Sequence, residues 1–120
     1  MGYTSQVFIG IPKEENENLI NLNFESLCDN RKLINSYGFK NMFKLKKETK
    51  DGMLIYESVW ELKWYDYFQD VKIITEFMDK LYDEDKEVFA IAIGEDQVVH
   101  SEIGSYYDHV EIYLCVNIKD

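Results

Sequence analysis

The chain has 120 residues, enough for one hydrophobic core and too few for two. Apolar residues make up 46% of it, with one proline and six glycines, which excludes disordered and fibrous classes. Thirteen basic residues stand against 23 acidic ones, a net charge of −10 spread along the chain, which argues against bulk attraction to nucleic-acid phosphates.

No apolar run approaches the roughly 18 to 20 residues of a spanning helix, and residues 1–6 are neither basic nor followed by an apolar signal core. A cytoplasmic protein without membrane contact is expected. Gly2 is followed four residues later by Gln6 where a myristoylation pattern wants Ser or Thr. Cys28 and Cys115 stand far apart without CxxC spacing, so two reduced thiols are expected rather than a disulfide framework or a zinc site.

In chain order, Val7, Phe8, Ile9 and Ile11 form an apolar run that ends at Pro12 and predicts a first strand. Glu14, Glu15 and Glu17 then carry the charge that favours a helix start, so a helix opening at Pro12 is expected. Ile20, Leu22 and Phe24 alternate like a strand, while Ile20, Phe24 and Leu27 space like a helix face, which is the favoured reading, and a second helical stretch is read through Leu27, Arg31, Ile34 and Tyr37, with Gly38 at its left-handed end. From Phe39 the period changes to two: Phe39, Phe43 and Leu45 share one face, and Lys40, Lys44 and Lys46 the other, predicting a half-buried strand. Asp51 and Gly52 supply the hairpin turn, both tolerating positive φ. The third strand runs from about Met53, with Leu54, Tyr56, Trp60, Leu62 and Trp64 on one parity, read as its core side, opposed by Glu57, Glu61 and Lys63, with Val59 as the exception.

Asp66 or Asp70 can cap the next helix, and Asp66 with Gln69 matches a capping box. Val71, Ile74, Phe77, Met78 and Leu81 form its apolar stripe, which predicts an amphipathic helix laid on a sheet. The run from Val88 to Ile93 is apolar on both parities, a strand covered on both faces that ends at Gly94. Val98 and Val99, a turn near Gly104 and Ser105, and the alternating Val110, Ile112, Leu114, Val116 and Ile118 predict a closing hairpin. The expected fold is therefore α+β: a mostly antiparallel sheet with two or three helices on one face, in ferredoxin-like order with an extra C-terminal strand. Residues 1–120 read as a single domain. Many unrelated functions use that architecture.

Motifs that would carry chemistry are weak. His100 and His109 with Glu102 and Asp108 could be imagined as a metal cluster, but their spacing is not diagnostic and a solvated strand face accounts for them. The acidic run Asp79, Asp83, Glu84, Asp85 and Glu87 lacks the glycine a calcium loop requires at its sixth position. There is no nucleophile elbow, and Gly94, Glu95 and Asp96 offer no phosphate cradle. No cofactor and no enzymatic activity are expected.

What stands out is the aromatic content, 15% of the chain, which exceeds what the core alone calls for. Trp60 and Trp64 are expected in the core, whereas Tyr65, Tyr67, Tyr106 and Tyr107 fall at element ends, where tyrosine serves as a rigid interface anchor. The acidic residues Asp83, Glu84, Asp85, Glu95 and Asp96 complete the candidate partner-binding set. A homodimer is left open.

Lys63, Trp64, Tyr65 and Asp66, then Asp70 and Val71, then Ile93, Gly94, Glu95 and Asp96 resemble small, acidic, uncharacterised accessory proteins of phages and prophages. The resemblance covers Trp60 to the C-terminus and has no chemistry attached to it. It implies a protein that binds and inhibits a host or bacterial protein, defence components included. Two alternatives stand beside it: an acidic nucleic-acid mimic that blocks a DNA-binding or nuclease protein, and a binder of a small charged ligand at His100, His109 and the nearby carboxylates.

Overall fold

Val7, Ile9 and Ile11 alternate with Phe8 along the first strand, and both sets are buried. The strand, β1 (Ser5–Pro12), accordingly runs through the middle of a sheet rather than along its edge. The structure is a computed structural model and describes residues 4–22, 39–62, 64–65, 68–94, 99–104, 110–112 and 116–118. After β1 the chain makes a 3-10 turn (Lys13–Glu15) and the short helix α1 (Asn16–Ile20), which sends Leu19 into the core. Further on come α2 (Phe39–Met42), β2 (Phe43–Glu48), β3 (Met53–Ser58), the long helix α3 (Gln69–Asp83), β4 (Phe89–Gly94) and β5 (Val99–Gly104). These five strands form one sheet in the order β2-β3-β1-β4-β5, every neighbouring pair antiparallel.

Each sheet face carries its own apolar cluster. Val7, Ile9 and Ile11 of β1, Leu54 and Tyr56 of β3, and Ala90 and Ala92 of β4 share the larger cluster with Leu19, Met42 and the α3 stripe of Val71, Ile74, Met78 and Leu81. The two alanines keep the sheet low, and α3 approaches β4 and β5 closely. Each buried aliphatic side chain of that stripe contributes about 1.5–3 kcal/mol of transfer free energy. Phe39 stacks on Phe43 at 4.6 Å between ring centres and meets Tyr56 edge-on at 5.0 Å, while Trp64 meets Phe43 edge-on at 6.0 Å. On the opposite face Phe8, Met53, Ile55, Phe89, Ile91 and Ile93 form the second cluster, so the double burial expected for the fourth strand is present.

Several expectations are corrected. Residues Phe39–Met42 form a helical turn, not the start of a strand, and in β2 only Phe43 is buried, Leu45 being 51% exposed. A strand at the sheet edge has cover from one neighbour only, and that strand also carries a bulge between Leu45 and Lys47. The hairpin loop is three residues long: Thr49 donates its amide to Met53 O at 2.8 Å, Gly52 donates to Thr49 O at 3.1 Å, and only Gly52 has positive φ (86°). Helix α3 begins after Phe68 with no side-chain cap; Asp70 lies inside its first turn and is fully buried. Residues 110–118 are not one strand: β6 (Val110–Ile112) and β7 (Val116–Ile118) pair antiparallel with each other, while β5 pairs with β4. The expected helices over residues 24–37, the boundary at Gly38 and the Asp66 cap lie outside the described residues.

The third strand departs most from expectation. It ends at Ser58, whose Oγ accepts the Val7 amide at 3.1 Å where a ladder carbonyl would otherwise serve. Pairing with β1 resumes at Leu62, which exchanges both backbone bonds with Ser5 at 2.7 and 2.8 Å. Only Gln6 separates Ser5 from Val7, yet Val59, Trp60 and Glu61 separate Ser58 from Leu62, so two extra residues bow away from the sheet. Trp60, expected in the core, sits on that bow and is 46% exposed, whereas Leu62 and Trp64 are buried.

Candidate interaction surface

Of the residues proposed from sequence, the described ones divide between the two ends of α3. Tyr65 is half-buried, its ring edge-on to Phe68 at 5.3 Å, just before α3 begins. Asp83, Glu84 and Asp85 are exposed at the other end of α3, about 22 Å along a helix of that length. The structure therefore does not bring Tyr65 and these carboxylates together. Tyr67, Tyr106, Tyr107, Glu95 and Asp96 lie outside the described residues, as do Asp108 and His109; His100 and Glu102 fall in β5.

At the acidic end, α3 closes with two crossed bonds, Lys86 N–H to Leu81 O at 3.1 Å and Asp85 N–H to Tyr82 O at 3.0 Å, and Asp85 takes the left-handed conformation (φ 61°). Asp85 thus has a structural task. That turn aims Lys86 at Glu15, with which it forms an ion pair. The hydrogen bond from Lys86, then the one from Asn18, holds the Glu15 carboxyl below its ordinary range, and the bond to Glu15 raises the Lys86 ammonium in return. Beside them is a shallow cavity of about 240 Å3 whose lining includes Glu14, Asp51, Lys86 and Glu87. Among the described residues no group of three or more His, Cys, Asp or Glu side chains is arranged to hold a metal ion, and no helix is long and apolar enough to cross a membrane.

The opposite end holds a surface that sequence reading missed. Val59 and Trp60 are 42% and 46% exposed on the bow, which is fixed between buried Ser58 and buried Leu62. The Val59 amide donates to Met42 O at 2.8 Å, placing the bow against α2 and the start of β2. Exposed Lys40 and Lys44 flank that contact, two residues to either side of Met42. Glu57 stands opposite Lys44 in the ladder but gives its carboxylate to Lys46 at 3.4 Å and to the Gln6 amide. The signal in the sequence was Val59, an apolar residue on the polar parity. A two-residue excursion restores the alternation at Leu62 and so conceals itself.

No family model matches the chain, and neither a curated protein nor a solved structure matches it.

Proposed function

We propose that the chain is a non-enzymatic binding protein of the phage and prophage accessory type, which docks a host protein in the cytoplasm and blocks it. The observation that carries this reading is the Val59–Trp60 bow. A half-exposed tryptophan on a backbone pinned at both ends offers large contact area at little entropic cost, the character of an interface anchor. Tyr65 and Phe68, whose rings meet edge-on, follow in the chain after the ladder resumes at Leu62. The strand order β2-β3-β1-β4, with β5 added beyond β4, supports a ferredoxin-like arrangement with an extra strand, and the sharing of one cluster by α1, α2 and α3 supports helices on one face.

The test is affinity capture from bacterial lysate with wild-type chain and with Trp60→Ala. A specific protein should be retained by the wild type and lost by the variant at unchanged melting temperature; retention by both overturns this reading. The exposed carboxylates Asp83, Glu84 and Asp85 favour the nucleic-acid mimic as a second reading. In that case neutralising them, and not Trp60→Ala, abolishes capture.

A further inference from the structure

We infer that the Val59–Trp60 corner takes an acidic peptide segment of the partner protein, although the chain itself is strongly acidic. The inference rests on the binding-protein reading and names the chemistry of its partner. Residues Phe39 to Lys50 hold five lysines and a single glutamate, so all of the net negative charge arises elsewhere. Within this basic stretch Lys13 reaches in to pair with Glu48 at 3.3 Å, and Lys46 pairs with Glu57. Lys40 and Lys44, the two beside the bow, are exposed and have no ion pair among the described residues. Lysine on an edge strand also deters edge-to-edge pairing, which accounts for Lys44. It does not account for Lys40, which lies in α2 and outside any strand. Glu61, the carboxylate nearest Trp60 in sequence, accepts a hydrogen bond from Thr4 at 3.0 Å. The corner thus offers exposed Val59 and Trp60, hydrogen-bonded through Val59 to Met42, with exposed Lys40 and Lys44 two residues to either side of that contact. A partner segment with carboxylates around an apolar residue matches both features, the apolar contact supplying burial and the charges orientation.

The probe is a fluorescein-labelled peptide of alternating Glu and Leu, titrated at low salt, with a Lys-Leu peptide and a single-stranded oligodeoxynucleotide as comparisons. Saturable binding of the acidic peptide alone is expected, weakened about tenfold or more by K40E/K44E and by Trp60→Ala. The milder K40Q/K44Q pair guards against misfolding caused by a glutamate opposite Glu57 and should weaken binding in the same direction. No saturable binding of the acidic peptide, or binding indifferent to both lysine pairs, overturns the inference. Tighter binding of the oligonucleotide overturns it in favour of phosphate recognition. In the lysate experiment, capture lost with Trp60→Ala but kept with K40Q/K44Q keeps the binding-protein reading and removes the acidic partner, whereas capture kept with Trp60→Ala removes the reading itself.

Discussion

Gly10 of β1 lies opposite Phe89 of β4, and a Cβ built on it would fall 2.1 Å from the Phe89 ring. The ring is fully buried, so it has no open space to turn into. Gly10→Ala should cost about 1–3 kcal/mol by overpacking, read from denaturant midpoints, and combining it with Phe89→Leu should recover part of the loss. Asp85 presents the opposite case. It holds a left-handed conformation that costs a non-glycine residue free energy, so Asp85→Gly should raise stability by roughly 0.5–1 kcal/mol unless its carboxylate contributes to the fold. The Glu15 carboxyl is depressed below 4.5 by its bond from Lys86. Its contribution is therefore present above 4.5 and lost as pH falls through the folded value. Lys86 is raised above 10.5 and Tyr56, chiefly by burial, above 10.0, so their contributions are complete below those values and are lost as pH rises through the folded ones. Glu15→Gln should flatten the acid limb of a melting-temperature profile and, because it removes the chief cause of the raised Lys86, leave the limb above pH 10.0 controlled by Tyr56.

At the scale of elements, α3 and β1 were legible because their patterns are long and unbroken. The stripe from Val71 to Leu81 is buried at Val71, Ile74, Met78 and Leu81, with Phe77 partly buried against the same cluster. The Asp51–Gly52 turn was legible in place but not in type, because Lys50 joins the loop and Gly52 alone takes positive φ. Periodicity failed where tertiary context decided. Phe39 fits a strand parity but closes a helical turn against Phe43 and Tyr56, and Val110 to Ile118 reads as one alternating strand but folds back on itself. The bow after β3 makes this measurable. Leu62→Ala should cost about 2–5 kcal/mol, because Leu62 is fully buried where the ladder resumes, whereas Trp60→Ala should change stability by no more than about 0.5 kcal/mol. Similar losses for both in thermal and denaturant melts would mean that Trp60 packs into the core after all, and the aromatic surface proposed here would lose its anchor.

At the scale of the molecule, two of the described stretches carry charge of one predominant sign. The basic run from Phe39 to Lys50 lies on the β2 edge and its approach, while Asp79, Asp83, Glu84 and Asp85 gather where α3 ends and its carbonyls already present partial negative charge. Only Lys80 in that last turn opposes them, and Lys86 just beyond is committed to Glu15. The arrangement disfavours the helix electrostatically, so the Asp83→Asn and Glu84→Gln pair should raise stability by about 0.3–1 kcal/mol per residue at low ionic strength. The gain should shrink as salt is added, because these side chains are exposed and the Debye length falls to about 10 Å at 0.1 M. Thermal melts of wild type and double variant across a salt series would show the two curves converging. The same variant separates the two functional readings. If the corner at Trp60 is the docking site, the double variant should capture the partner as well as wild type does, with at most a changed association rate, since the carboxylates lie a helix length away. If capture instead falls in proportion to the charge removed while stability rises, the acidic end is the working surface and the protein acts by electrostatic mimicry.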